Sequence, residues 1–98
     1  MTTSEMLKEK CSQVLSLLDL DIDTLERKAV KVYLHQQLRQ REAELFKVGQ
    51  KYGVKTADDM ENLFKKDRIE EKDGWQDYFR LDHLEAEIES IRKALSSL

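Results

Sequence analysis

Leu81, Leu84, Ile88, Ile91, Leu95 and Leu98 follow one another at alternating steps of three and four residues. On a helix these steps fall on a single stripe, whereas a strand would scatter them over both faces. The spacing therefore predicts a long C-terminal helix, over 74–97, packed along its length against another helix. Nothing in the composition opposes this reading. The 98 residues include no proline and three glycines, and charged residues (38%) nearly match hydrophobic ones (40%). That is the balance of long helices laced with surface charge. The expected fold class is all-α.

Three further helices are legible upstream. Met6, Leu7, Cys11, Val14, Leu15 and Leu18 lie at helical spacing, predicting an N-terminal helix within residues 1–20. Asp19, Asp21 and Asp23 interrupt it, because aspartate competes for backbone donors and favours caps over helix interiors. Asp23 with Glu26 reads as a capping pair that opens a second helix over 23–52. Leu34, Leu38, Leu45, Val48 and Tyr52 form its stripe, with Arg41 at one seam position. Leu25, Val32 and Phe46 widen that stripe, and Gly49 is a local cost of about 1 kcal/mol against alanine. Gly53 supplies the stop, since glycine readily takes the left-handed conformation that ends helices. Thr56 with Asp59 then caps a short helix over 57–66 carrying Met60, Leu63 and Phe64. The polar run 65–74 reads as a loop, and Asp73 with Gln76 as the cap of the last helix.

The connector between the second and last helices allows them to pair antiparallel. Their stripes are wider than one partner covers, so a homodimeric bundle is expected, with Leu34, Leu38, Leu45, Leu84, Ile88 and Ile91 at the oligomer interface. A monomeric four-helix fold, with the first helix filling the groove, is the alternative.

Catalytic and metal chemistry find no support in the sequence. The aspartate run imitates the opening of a calcium loop, yet Thr24 and Val30 stand where such a loop needs glycine and glutamate. His35 and His83 have no neighbouring His or Cys to complete a zinc site. Cys11, the single cysteine, sits on an apolar helix face without an adjacent histidine, which suits a small packing residue better than a nucleophile. The expectation is a non-enzymatic chain without cofactor or metal. No window approaches the length of a membrane span, and the single cysteine and missing leader pattern suggest a cytoplasmic protein.

Charge is distributed unevenly. Residues 54–98 contain 12 acidic and 8 basic side chains, whereas residues 1–53 contain 8 acidic and 9 basic. An acidic half steers toward a basic partner. Arg39, Arg41, Lys47, Lys51 and Lys55 give the second helix a modest basic face, on which the alternative of a nucleic-acid-associated regulator rests, and an architectural subunit of a larger helical assembly is the other alternative. The net charge of -3 makes nucleic acid the weaker of the possible partners.

From residue 51 the chain reads Lys-Tyr-Gly-Val-Lys-Thr-Ala-Asp-Asp-Met, then Leu63-Phe64, an acidic loop, and Trp75-Gln76-Asp77-Tyr78-Phe79-x-Leu81. Over about residues 38–95 this order resembles small prokaryotic helical proteins of the antitoxin type, similar to the antitoxin partners of TumE-type toxins. Residues 1–23 have no counterpart in that pattern. The resemblance implies a protein that binds and neutralises a small basic toxin, an RNA-cleaving toxin being one form of it. Asp73, Asp77 and Glu85 would then meet a basic surface, with Trp75, Tyr78 and Phe79 as the aromatic anchors. The same three rings would equally serve as the chain's own core.

Overall fold

The computed structural model describes residues 2–66 and 71–98. It is all-α, with four helices in chain order: α1 (Thr3–Leu18), α2 (Ile22–Gln50), α3 (Ala57–Lys65) and α4 (Glu71–Ser96). No strand occurs among the described residues. The chain divides into two compact units, Met1–Tyr33 and Leu34–Leu98.

The first unit contains α1 and the opening turns of α2. Thr2 starts α1 with a reciprocal capping box: its hydroxyl accepts the Glu5 N–H at 3.2 Å, while Glu5 accepts the Thr2 N–H at 3.2 Å. Asp19 ends the helix in the left-handed conformation (φ 53°, ψ 48°), a region aspartate tolerates because its short side chain can bond locally. The cap of α2 is Asp21 and not Asp23. Its carboxylate accepts the Thr24 N–H at 2.7 Å, so the helix begins one residue ahead of the expected 23. That bond, with a second contribution from the Thr24 side chain, lowers the Asp21 pKa. Asp23 instead pairs with Arg27 one turn on, at 3.0 Å. None of the α1 side chains is buried. A 16-residue helix without a buried face is only marginally stable by itself in water.

The second unit is a hairpin of the later α2 turns and α4, closed at one end by α3. Ion pairs mark its antiparallel register: Glu42 with Arg92 (3.0 Å), Arg41 with Glu87 (2.5 Å), Glu44 with Arg80 (2.6 Å) and Lys51 with Asp77 (3.6 Å). The Tyr52 hydroxyl also donates to Asp77. Between these flanks lies the core. Met60, Leu81 and Leu84 are fully buried, and Val48, Ala57 and Ile88 nearly so. Leu45, Tyr52, Val54, Phe64 and Tyr78 pack around the cluster.

Arg41 therefore belongs in the seam because Glu87 meets it there. The Arg41 side chain also donates to the Gln37 side-chain oxygen at 2.7 Å. This guanidinium holds the Glu87 carboxyl below the usual glutamate range. The folded state thus binds the Glu87 proton less readily than the unfolded chain does. Stability from the pair is fully present above about pH 4.3, the ordinary glutamate value, and is lost as pH falls through the lowered one. Glu87→Gln is expected to flatten the acid limb of thermal stability between about pH 5 and 3. An unchanged acid limb in the variant would show that the pair contributes nothing to it.

The end of the second helix and the start of the last differ further from the sequence expectation. The second helix ends at Gln50 because the chain reverses there: Val54 N–H bonds to the Gly49 carbonyl (3.0 Å) and Gly53 N–H to that of Gln50 (3.4 Å). With Gly53 at φ 67°, this is the Schellman arrangement, two crossing bonds that satisfy otherwise orphaned carbonyls. At the other end, Glu71 to Gly74 are already helical, so Asp73 lies inside α4 and is not its cap. Residues 67–70 of the expected loop lie outside the described residues.

Candidate partner-binding face

Where α3 meets the first turns of α4, the sequence supplies one aromatic from α3 and three from α4. Phe64 stacks on Trp75 with ring centroids 5.0 Å apart and planes at 16°. Trp75 in turn stacks on Phe79 at 5.7 Å and 27°. Tyr78 meets all three rings edge-on, at 5.5 to 6.2 Å. The placement follows from helical spacing, since residues 75, 78 and 79 share one face of α4 and Phe64 approaches from the last turn of α3. Offset-stacked and edge-to-face pairs add about 0.5–1.5 kcal/mol each beyond their burial, so the cluster holds the two helices together.

The cluster is anchored to the core on one side and open on the other. Phe64 and Tyr78 pack against the buried residues. Phe79 is 61% exposed and Trp75 44% exposed. A cleft of about 290 Å³ runs alongside, lined by Glu61, Phe64, Lys65, Trp75 and Tyr78.

Carboxylates act on one of these rings, Tyr78. Partial desolvation of the phenol, followed by the fields of Glu61, Asp82, Asp58 and Glu85, pushes the Tyr78 pKa up. Four carboxylates from two helices therefore project their field onto one ring. Asp82 and Glu85 lie one and two turns beyond Tyr78 on α4, and Asp58 and Glu61 one turn apart on α3. Such a face attracts cations through both carboxylate charge and ring quadrupole.

The chain belongs to the family described as Uncharacterized protein MJ0235 family. Residues 1–98, the whole chain, match that family. No curated protein and no solved structure matches it.

The residues singled out from the sequence are brought together unequally within this family member. Trp75, Tyr78 and Phe79 form one cluster, with Trp75 and Phe79 presented outward. Asp77 and Glu85 have internal partners. Asp77 takes the Tyr52 hydroxyl and Lys51, and Glu85 accepts the Ala57 N–H at 2.8 Å, satisfying a donor at the start of α3. Sequence reasoning does not place Phe64, Asp58, Glu61 and Asp82 at the partner-binding site. Their i, i+3 and i, i+4 spacings were visible, but the approach of α3 to α4 that unites them was not. Of the residues expected at an oligomer interface, Leu84 and Ile88 lie inside the hairpin of one chain, while Leu34, Leu38, Leu45 and Ile91 are half-buried.

The alternative basic face on α2 is partly occupied. Arg41 and Lys51 turn to the α4 carboxylates Glu87 and Asp77. His83 lies 2.9 Å from the same Glu87. Among the described residues there is no group of three or more His, Cys, Asp or Glu side chains able to hold a metal ion. No described helix is long and apolar enough to cross a membrane.

Proposed function

We propose that this chain is a protein-binding module whose α3–α4 aromatic face receives a basic segment of a partner protein. The observation that carries this reading is the Phe64–Trp75–Phe79 stack, open at Trp75 and Phe79, with the fields of Glu61, Asp82, Asp58 and Glu85 acting on the adjoining Tyr78 ring. A guanidinium lying over Trp75 or Phe79 gains a cation–π contact of about 0.5–2 kcal/mol, and nearby carboxylates add complementary charge. Because α3 and α4 already hold the rings in place, little ordering entropy remains to be lost on binding. In its sharpest form, which rests on the antitoxin resemblance, the partner is a small basic toxin that this face covers.

Trp75 is the only tryptophan, so its fluorescence reports the face directly. Titration with a nona-arginine peptide is expected to change Trp75 emission saturably, with affinity falling as salt rises. Phe79→Ala is expected to weaken that binding about tenfold, the loss of one exposed cation–π contact and its apolar area. Binding that is equally strong for a nona-glutamate peptide, or indifferent to Phe79→Ala, would reject the proposal. For the toxin form, co-expression with the product of the adjacent reading frame should yield a stoichiometric complex that Phe79→Ala disrupts.

A further inference from the structure

The first unit leaves more apolar surface open than so small a fold can sustain. Among the described residues of 1–33 none is buried, and eight large apolar side chains are 45% to 81% exposed. Exposed apolar surface gathered in one place marks a protein-interaction site.

Part of this surface is organised as a groove. Leu7, Cys11 and Leu15 of α1 face Ile22, Leu25 and Ala29 of α2 across a trough of about 550 Å³. The apolar residues of each wall recur at steps of three or four, so each wall is one helical ridge of the kind that packs against another helix. The rim carries one charge of each sign, Lys8 on the α1 wall and Glu26 on the α2 wall. Neither has an ion pair among the described residues. Residues 1–33 as a whole hold six carboxylates and five cations, so neither an acidic nor a basic partner is selected.

A second copy is selected by that arrangement. A two-fold axis along the hairpin sets α1 of each copy over α2 of the other. The Lys8 wall then lies opposite the Glu26 wall of the second copy, and the contact occurs twice. We infer that the chain self-associates through its α1–α2 hairpins, groove to groove, forming a four-helix bundle from residues 1–33 of two copies. This interface differs from one built on Leu84 and Ile88, whose side chains are already covered within one chain. It is also independent of the aromatic face.

Sedimentation of the full chain is expected to give twice the 11.6 kDa chain mass. Leu7→Glu introduces a charge into the groove at a position 64% exposed, so it should return the mass to that of one chain. Trp75 emission and its urea midpoint report residues 34–98 and should stay unchanged. Lys8→Glu and Glu26→Lys should each raise the dimer Kd roughly tenfold, because each reversal creates two like-charge contacts, and the double exchange should restore it. A single-chain mass for the unsubstituted protein at high micromolar concentration would overturn the inference. So would a dimer indifferent to Leu7→Glu, or charge reversals whose effects fail to cancel in the double variant.

Discussion

Leu84→Ala is expected to destabilise the 34–98 unit by about 3 kcal/mol, within the range of about 2–5 seen when a large buried side chain is cut to alanine. Leu84, on α4, is fully buried, so its loss leaves a cavity in addition to the forfeited transfer energy. A domain of this size has a total stability of about 5 kcal/mol or somewhat more, and a loss of that order is a large fraction of it. Urea unfolding followed by Trp75 fluorescence would measure the effect. Leu98, on the same stripe but 40% exposed, provides the contrast: Leu98→Ala should cost under about 0.5 kcal/mol. Equal losses at the two positions would mean that burial does not govern this helix.

Gly49→Ala is expected to be comparably harmful, against the direction of helix propensity. Alanine would gain about 1 kcal/mol in an unconstrained helix interior. Here a Cβ at residue 49 would lie 2.3 Å from the Val54 carbonyl oxygen, far inside contact distance and against backbone that cannot swing away. Relieving the clash means opening the turn whose Val54 N–H bonds to the Gly49 carbonyl, at the point where Val54 packs against the buried cluster that contains Val48. Overpacking of this kind costs about 1–3 kcal/mol and outweighs the propensity gain, so the net loss should approach about 2 kcal/mol. Gly53→Ala should cost about 1 kcal/mol through its left-handed backbone alone, since nothing crowds that Cβ. Thermal melts of the two variants would separate the causes, and a Gly49→Ala protein as stable as its parent would dismiss the clash.

The two effects share one structural purpose. The reversal at residues 49–54 delivers Thr56 to the start of α3, where its hydroxyl accepts the Asp59 N–H at 3.1 Å and Glu85 takes the Ala57 N–H. That fixes α3 against α4 and so stacks Phe64 on Trp75. Damage to the core or to the turn should therefore also weaken any ligand of the aromatic face, while Phe79→Ala should weaken the ligand without unfolding the unit.

Periodicity alone determined that this chain is helical and where each helix roughly lies. These are local properties, set by 3.6 residues per turn and by caps within three or four positions of a helix end. The exact caps were less legible. Asp19, Asp21 and Asp23 offer three carboxylates in five residues, and only the backbone path selects Asp21 for α2.

Tertiary structure decided which side chains on each stripe are covered. Val48 is 9% exposed and Phe46, two residues away, is 70% exposed, although the sequence places both on a widened apolar face. Arg41 interrupts a stripe on paper, and in the hairpin it is the partner of Glu87. Gly49 reads as a propensity penalty until the Val54 carbonyl arrives beside it. The conspicuous Leu81–Leu98 stripe behaves likewise: it specifies the helix throughout, yet only Leu81 and Leu84 are fully covered. A local repeat can say which way a side chain faces along its helix, but burial depends on elements distant in sequence, and only the folded chain brings those together.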